Sequence, residues 1–309
     1  MIRKLAKEYG YNQATLERYY RLFGKDIELL LEANEAEPPT YIRANTLKIS
    51  LFELEQRLLK RGIRLREVEQ GFLIEDAPFS VSSTPEYLLG YFYIQGIAEM
   101  QIAPLLHAEG VVIDMCAAPG GKTTHLAQLM RDTGVILALD VNREKIKALK
   151  ANIQRMGVTN TIVYAVSALD FSYRCSRILL DAPCTGSGII RKDPTRKYSR
   201  DSTDIAFCSR LQKDLLRKGV DNLIEEGVLL YSTCSLEPEE NELIIDWALR
   251  ELPVVVEPLE FTVNGVSAVE GITCPFGSTL HRDIRRCRRI LPHIHDSNGM
   301  FVARLRKVQ

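Results

Sequence analysis

No apolar run in this 309-residue chain approaches the roughly 18 residues a membrane-spanning helix needs, so a helical membrane protein is excluded. The first residues, MIRKLAKEYGYNQ, hold no apolar stretch of the kind a secretory leader carries, and a cytoplasmic location is expected. Seven cysteines are present, an odd number with no C-x-x-C pair and no regular spacing. That disfavours a disulfide framework and a structural zinc site, and no metal is expected. Excess charge of one sign is missing too, since 40 Lys and Arg balance 40 Asp and Glu. No internal repeat and no low-complexity segment occurs.

What is there is an ordinary globular chain, 46% hydrophobic and 26% charged, long enough for one large or two modest domains. Its neutral total hides three basic runs: residues 60–66 (KRGIRLR), 191–200 (RKDPTRKYSR) and 281–289 (HRDIRRCRR). Such runs are commonly solvated faces. Three in one neutral chain also suit a polyanionic partner, because local basic patches steer nucleic acid whatever the net charge.

Apolar positions at helical spacing predict helices up to about residue 35, where Pro38-Pro39 ends the pattern. TYIRANTLKI then alternates like a strand, SLFELEQRLLKRG reads as an amphipathic helix with Ser50 as N-cap, and IRLREVEQGFLIED suggests more strand. A turn-rich linker follows. The expected organisation is a helical and small α+β unit over residues 1–85, then a main domain over residues 86–309. In the main domain VVIDMC, GVILALD, NTIVYAV, SRILLDAP, GVLLYSTC and GMFVARLRK read as strands separated by helical segments. Such alternation implies an α/β fold with a mostly parallel, doubly wound sheet. Ligands bind such sheets at the carboxyl ends of the strands, and Asp114, Asp140, Asp181 and Cys234 all fall at predicted strand ends.

The stretch DMCAAPGGKTTHLAQ joins the first of these strands to its helix. Gly121-Lys122-Thr123 imitates a triphosphate-binding loop, but Cys116 stands where that loop needs its first glycine. The competing reading is a Rossmann-like adenosine site, whose second strand ends in an acid that binds ribose hydroxyls. Asp140 lies 19 residues after Gly121 and fits that role; it also fits as an N-cap for the next helix. A dinucleotide fingerprint is absent, which disfavours NAD. S-adenosylmethionine carries a sulfonium and no phosphate, so carboxylates and backbone groups suffice to hold it.

Two cysteines stand out, Cys184 in LLDAPCTGSG and Cys234 in LLYSTCSLEPEENE, both in turns at strand ends. Each alone reads as a packed apolar residue; together at the rim of a cofactor loop they suggest chemistry. C5 of a pyrimidine is a poor nucleophile until a thiolate adds to C6, after which it can accept a methyl group. A general base must then remove the C5 proton. Asp181 is placed to hydrogen-bond the N3/N4 edge of a cytosine.

These stretches, with RRILPHIHDSNGMFVARLRK, YFYIQGIAEMQIAPLL and YIRANTLK, resemble the NOL/NOP/SUN family of S-adenosylmethionine-dependent RNA cytosine-C5 methyltransferases, over residues 40–309. The likeness is greatest to the compact archaeal tRNA members. It implies a Rossmann-like class I methyltransferase preceded by a small RNA-binding unit, acting on tRNA, or alternatively on ribosomal RNA, as a monomer. A non-catalytic RNA-binding assembly factor with the same fold is the rival from another class. Carried over, the resemblance makes Cys234 the nucleophile, Cys184 the residue that assists product release, and Asp181 the base and a cofactor contact, with Lys122 reaching the site. Cys116, Ala117, Ala118, Pro119, Gly120, Gly121, Lys122 and Asp140 would contact the cofactor. Ser167 stands where many members have an aspartate beside the adenine, with Asp170 three residues later, so that contact is open between them. Arg43 and Asn45 match the small unit's motif, as RNA contacts or as packing residues. Arg191 and Lys192 begin the basic run expected on the phosphate backbone.

Overall fold

The helical spacing at the start of the chain resolves into α1 (Ile2–Tyr9), α2 (Gln13–Phe23) and α3 (Ile27–Glu35) in the computed structural model, which describes residues 1–309. Asn12 caps α2 by accepting the Ala14 N–H, supplying a partner that the first helical turn lacks. Leu16, Tyr19, Leu30 and Leu31 bury their side chains with Ile190, Leu236 and Leu291. Two units result, residues 1–38 with 182–220 and 230–309, and residues 39–181 with 221–229. The division at residue 85 groups α1–α3 with the small sheet, whereas their side chains pack into the unit that holds the C-terminal strands.

The second unit begins with β1 (Thr40–Ala44), α4 (Leu51–Leu59), β2 (Arg64–Val68), β3 (Gly71–Asp76), α5 (Pro85–Leu88), β4 (Phe92–Ile94) and α6 (Ile97–Met100). The four strands form an antiparallel sheet in the order β2-β3-β1-β4. Ser50 caps α4 in a reciprocal capping box with Glu53, as expected from sequence. Leu54 and Leu58 of the helix pack on Ile42, Phe72 and Phe92 of the sheet.

Next come β5 (Val111–Asp114), α7 (Gly121–Leu129), β6 (Val135–Asp140), α8 (Arg143–Met156), β7 (Thr161–Ala165) and β8 (Cys175–Asp181). These strands are all parallel, in the order β8-β5-β6-β7. Ile113, Leu139, Ile178 and Leu179 are fully buried, which is why the strands read as near-continuous apolar runs. The order reverses between β5 and β8, the topological switch point where Rossmann-like sheets bind ligands.

The remaining elements are α9 (Ser202–Asn222), β9 (Leu223–Thr233), α10 (Glu242–Glu251), β10 (Val254–Glu257), β11 (Thr262–Val263), β12 (Val266–Ser267), β13 (Val269–Glu270), β14 (Arg288–Ile290), α11 (Pro292–His295) and β15 (Met300–Lys307). Antiparallel pairs join β15 to β10 and to β14, and β14 to β13. Sequence patterning predicts β15 and misses β10–β14, which have only two to four residues each. Strands so short show no period of their own and depend on pairing with distant partners. No helix is long and apolar enough to cross a membrane.

Candidate active site

The loop after β5 is held from several sides. At its base Asp114 is buried and accepts the Thr123 hydroxyl at 2.7 Å; burial pushes its carboxyl up to about 7. The Met115 and Ala117 N–H groups donate to Leu179 and Leu139, both at 2.9 Å, so the loop crosses the tips of β8 and β6. Asp140 accepts the Ala118 N–H at 3.1 Å and the Asn142 N–H at 2.8 Å. Asn142 and not Asp140 caps α8, taking the Glu144 and Lys145 N–H groups. The Ala118–Pro119 peptide is cis, and the Pro119 carbonyl accepts from Asn152 at 2.9 Å.

Gly120 sits at φ 103°, and a Cβ there would lie 2.8 Å from Leu149 Cδ1 of α8. This glycine therefore serves the turn and the approach of a helix. Lys122 Nζ is 2.7 Å from Asp181 Oδ2. The only cation of residues 115–122 is thus held by a carboxylate. Burial first, then the charges of Asp114, Asp181 and Asp140, push up the Cys116 thiol. A loop flanked by the partly exposed Asp140 and Asp181 carboxylates, with its one lysine already paired, repels a triphosphate and suits a cationic ligand such as a sulfonium. Cys116, Ala118, Lys122, Asp140 and Asp181 are partly exposed there, while Ala117 and Gly120 are buried. Ser167 is half-buried and its hydroxyl accepts the Leu169 N–H at 3.2 Å; Asp170 is exposed.

In the other unit the two singled-out cysteines meet. Cys184 Sγ and Cys234 Sγ lie 3.3 Å apart and both residues are half-buried. Contact with Cys234 and then burial push the Cys184 thiol well above its ordinary range. Three links fasten the two loops. The Gly188 N–H donates to the Cys234 carbonyl at 2.8 Å. Ser187 Oγ accepts the Leu236 N–H at 2.8 Å and touches Ser235 Oγ at 3.2 Å. Buried Glu240 accepts from both Thr185 and Ser235.

The segment after Cys234 is where sequence reading missed most. EPEENE reads as an acidic helix start, and its Glu237, Glu240, Asn241 and Glu242 are buried. Glu237 pairs with Arg18 at 2.7 Å, and Glu242 receives Arg289 through bonds of 2.5 and 2.6 Å. Asn241 accepts from Thr233 at 2.6 Å and donates to the Ser235 carbonyl at 2.8 Å. A run of hydroxyl residues at the end of a buried strand was the available signal, since buried hydroxyls require partners.

The expected RNA contacts need correction. Arg43 is fully buried and donates to Gln95, Gln128 and Thr124 at 2.8, 2.7 and 3.0 Å. Asn45 is buried and donates to the Gly90 and Met156 carbonyls at 2.7 and 2.8 Å. Neither presents a surface to RNA; both are packing residues. Arg191 binds the Ala36 and Glu37 carbonyls and Asp296. Of the five cations in residues 191–200, Arg196, Lys197 and Arg200 also have carboxylate partners, in Asp193, Glu35 and Asp204. Lys192 alone is left as an exposed cation outside these pairs.

Comparison with known proteins agrees with this geometry. Residues 102–306 match the family model of the 16S rRNA methyltransferase RsmB/F, and residues 12–96 match the N-terminal domain of 16S rRNA methyltransferase RsmF. A 28S rRNA (cytosine-C(5))-methyltransferase of Mus musculus is 39% identical over 98% of this chain and 40% of its own length. The ribosomal RNA small subunit methyltransferase F of Klebsiella pneumoniae is 37% identical over 86% of this chain and 57% of its own. The chain thus spans about half the length of these curated relatives. A crystal structure of a methyltransferase homolog protein from Pyrococcus horikoshii superposes with a TM-score of 0.89 at 41% identity, covering 99% of both chains. A model match over two thirds of the chain, joined to the paired cysteines and the carboxylate-flanked loop, means that the chain belongs to the NOL1/NOP2/Sun (RsmB/F) family of S-adenosylmethionine-dependent RNA cytosine-C5 methyltransferases.

Proposed function

We propose that this chain methylates C5 of a cytosine in ribosomal RNA, with transfer RNA as the second reading. The observation that carries the chemistry is the contact of Cys184 and Cys234 at 3.3 Å. A binding module has no use for two touching thiols on stapled loops. The ribosomal reading is favoured over the transfer-RNA expectation because the curated relatives named above act on rRNA.

In this reading Cys234 is the nucleophile. Its thiolate adds to C6, which makes C5 enamine-like. S-adenosylmethionine, when bound, supplies the methyl group on a positive sulfur. The carboxylates of Asp140 and Asp181 suit that charge, with Asp140 and residues 116–122 as the cofactor contacts and Ser167 or Asp170 beside the adenine. Asp181 takes the C5 proton or orders the base edge, and Lys122, paired with it, sets its position. Loss of the C5 proton and elimination of the Cys234 thiolate restore the C5–C6 double bond. Cys184, whose thiol is pushed up, keeps its proton beside Cys234 and hands it to the departing sulfur. A target inside folded RNA must first leave its stack.

Incubation with S-adenosylmethionine and unmodified total RNA, followed by bisulfite mapping, tests this reading. New 5-methylcytosines in ribosomal RNA are expected. Marks confined to transfer RNA would replace the substrate, and RNA binding with no mark would favour the assembly-factor reading.

A further inference from the structure

Glu240, one of the links between the two cysteine loops, has no part in the proposed reaction, yet it is fully buried beside the thiol pair. Its Oε1 accepts the Thr185 N–H at 2.8 Å and Gln212 Nε2 at 3.2 Å. Its Oε2 accepts the Thr185 and Ser235 hydroxyls, each at 2.5 Å. Thr185 directly follows Cys184, and Ser235 directly follows Cys234. One carboxylate therefore grips the residue next to each thiol. Gln212 is itself buried, and its amide also donates to the Pro183 carbonyl at 2.8 Å, on the other side of Cys184. The carbonyl of Glu240 accepts the buried Tyr231 hydroxyl at 2.6 Å, which fixes the short turn on which the carboxylate stands.

We propose that Glu240 is a positioning residue that holds Cys184 and Cys234 in contact by clamping Thr185 and Ser235. This role rests on the reading of those cysteines as the working thiols. A carboxylate suits it because it offers lone pairs to four donors and needs no hydrogen of its own. Without it the Thr185 N–H loses its acceptor in a buried site, the Gln212 amide loses one of its two, and the Cys184 loop loses one of its three ties to the Cys234 loop, the one that lies directly beside both thiols. Displacements of about 1 Å between reacting groups cost about 100-fold in rate. The Glu240 charge acts in the same place, as one of the smaller causes that push up the Cys184 thiol.

The two effects separate by substitution. Glu240→Gln keeps one oxygen for the Thr185 N–H and Gln212, and its amide can donate to the two hydroxyls once they rotate. Glu240→Ala removes the clamp. The first readout needs no RNA: diamide, an azo compound, oxidises two touching thiols to a disulfide and takes up their two hydrogens to become a hydrazine. Peptide mapping then reports the Cys184–Cys234 crosslink. Wild type and Glu240→Gln should form it at rates within about threefold, and Glu240→Ala about tenfold slower or more. In methylation of ribosomal RNA, Glu240→Ala should lose kcat by about 100-fold with KM for RNA changed less than about threefold, while Glu240→Gln stays within about tenfold of wild type. Thr185→Val removes one gripped hydroxyl without changing side-chain shape. It should slow the crosslink even if Glu240→Ala does not fold. Wild-type crosslinking in Glu240→Ala or in Thr185→Val overturns the clamp. So does a Glu240→Gln that crosslinks normally yet loses kcat as fully as Glu240→Ala, since charge would then be the cause. A wild type that methylates no RNA defeats the proposed function, while the crosslink still decides the role of Glu240.

Discussion

Two sulfurs 3.3 Å apart hold at most one negative charge between them, because a second would face the first at contact distance. Contact with Cys234 and burial push the Cys184 thiol up, in keeping with the proposed roles of Cys184 as the proton-bearing partner and Cys234 as the nucleophile. Cys234→Ala should abolish both methylation and any protein–RNA adduct. Cys184→Ala should retain attack but leave the adduct unresolved, so a slow-migrating complex accumulates on denaturing gels. Equal methylation by Cys234→Ala and wild type would sink the mechanism. Asp114 permits a prediction about pH. Its carboxyl titrates at about 7 when folded, against an ordinary 3.8. Between these values the folded chain keeps a proton the unfolded chain has lost, so stability from this group is full below the lower value and falls until the upper one is passed. Asp114→Asn cannot ionise. Urea unfolding should show the variant gaining on wild type from about pH 4 to about pH 7 and no further change above about pH 8. A constant difference across that range would refute the assignment.

At the level of elements, Arg43 shows how a surface-type residue becomes a joint. It sits in β1, bonds to Gln95 just beyond β4, and reaches Thr124 and Gln128 on α7. Arg43→Ala leaves those groups without a donor in a dry site, a change that costs about 3–5 kcal/mol when a charge partner is removed and less for neutral ones. A lowered unfolding midpoint with an unchanged salt dependence of RNA binding is expected. A changed salt slope with wild-type stability would restore the RNA-contact reading. The glycine of the cofactor loop follows the same logic. Gly120 is fixed by its positive φ and by Leu149, so the turn needs it before any ligand does.

Across the whole molecule, basic residues that look alike in sequence divide into two classes. Arg61, Arg64 and Arg66 of the first run meet Glu86, Asp76 and Glu75. Arg191, Arg196, Lys197 and Arg200 of the second are also paired, and Arg289 of the third is buried against Glu242. These cations are each paired within the fold, which leaves them less free for phosphate than an unpaired one. Lys192→Glu should therefore lower RNA affinity and reduce the log–log salt slope by about one, the value for one lost phosphate contact. Arg191→Glu should instead lower the unfolding midpoint, because it breaks bonds to Ala36, Glu37 and Asp296. Similar salt slopes for Lys192→Glu and wild type would remove this segment from the RNA surface.

Sequence alone was enough to place the parallel strands with acids at their ends, the loop between β5 and α7, Asp140 at the end of β6, and the two cysteines in turns after β8 and β9. Each is a local matter: an apolar run, a turn residue, or a spacing along one chain segment. Ser50 as a cap belongs with them, since a cap and its N–H partners lie within one helical turn. Only the tertiary structure decided that Arg43 and Asn45 are interior, that EPEENE is a buried polar network, and that Cys184 touches Cys234. Those outcomes depend on which distant segment covers a residue. A charged side chain reads as exposed until a partner such as Glu242 for Arg289, 47 positions away, makes its burial tolerable.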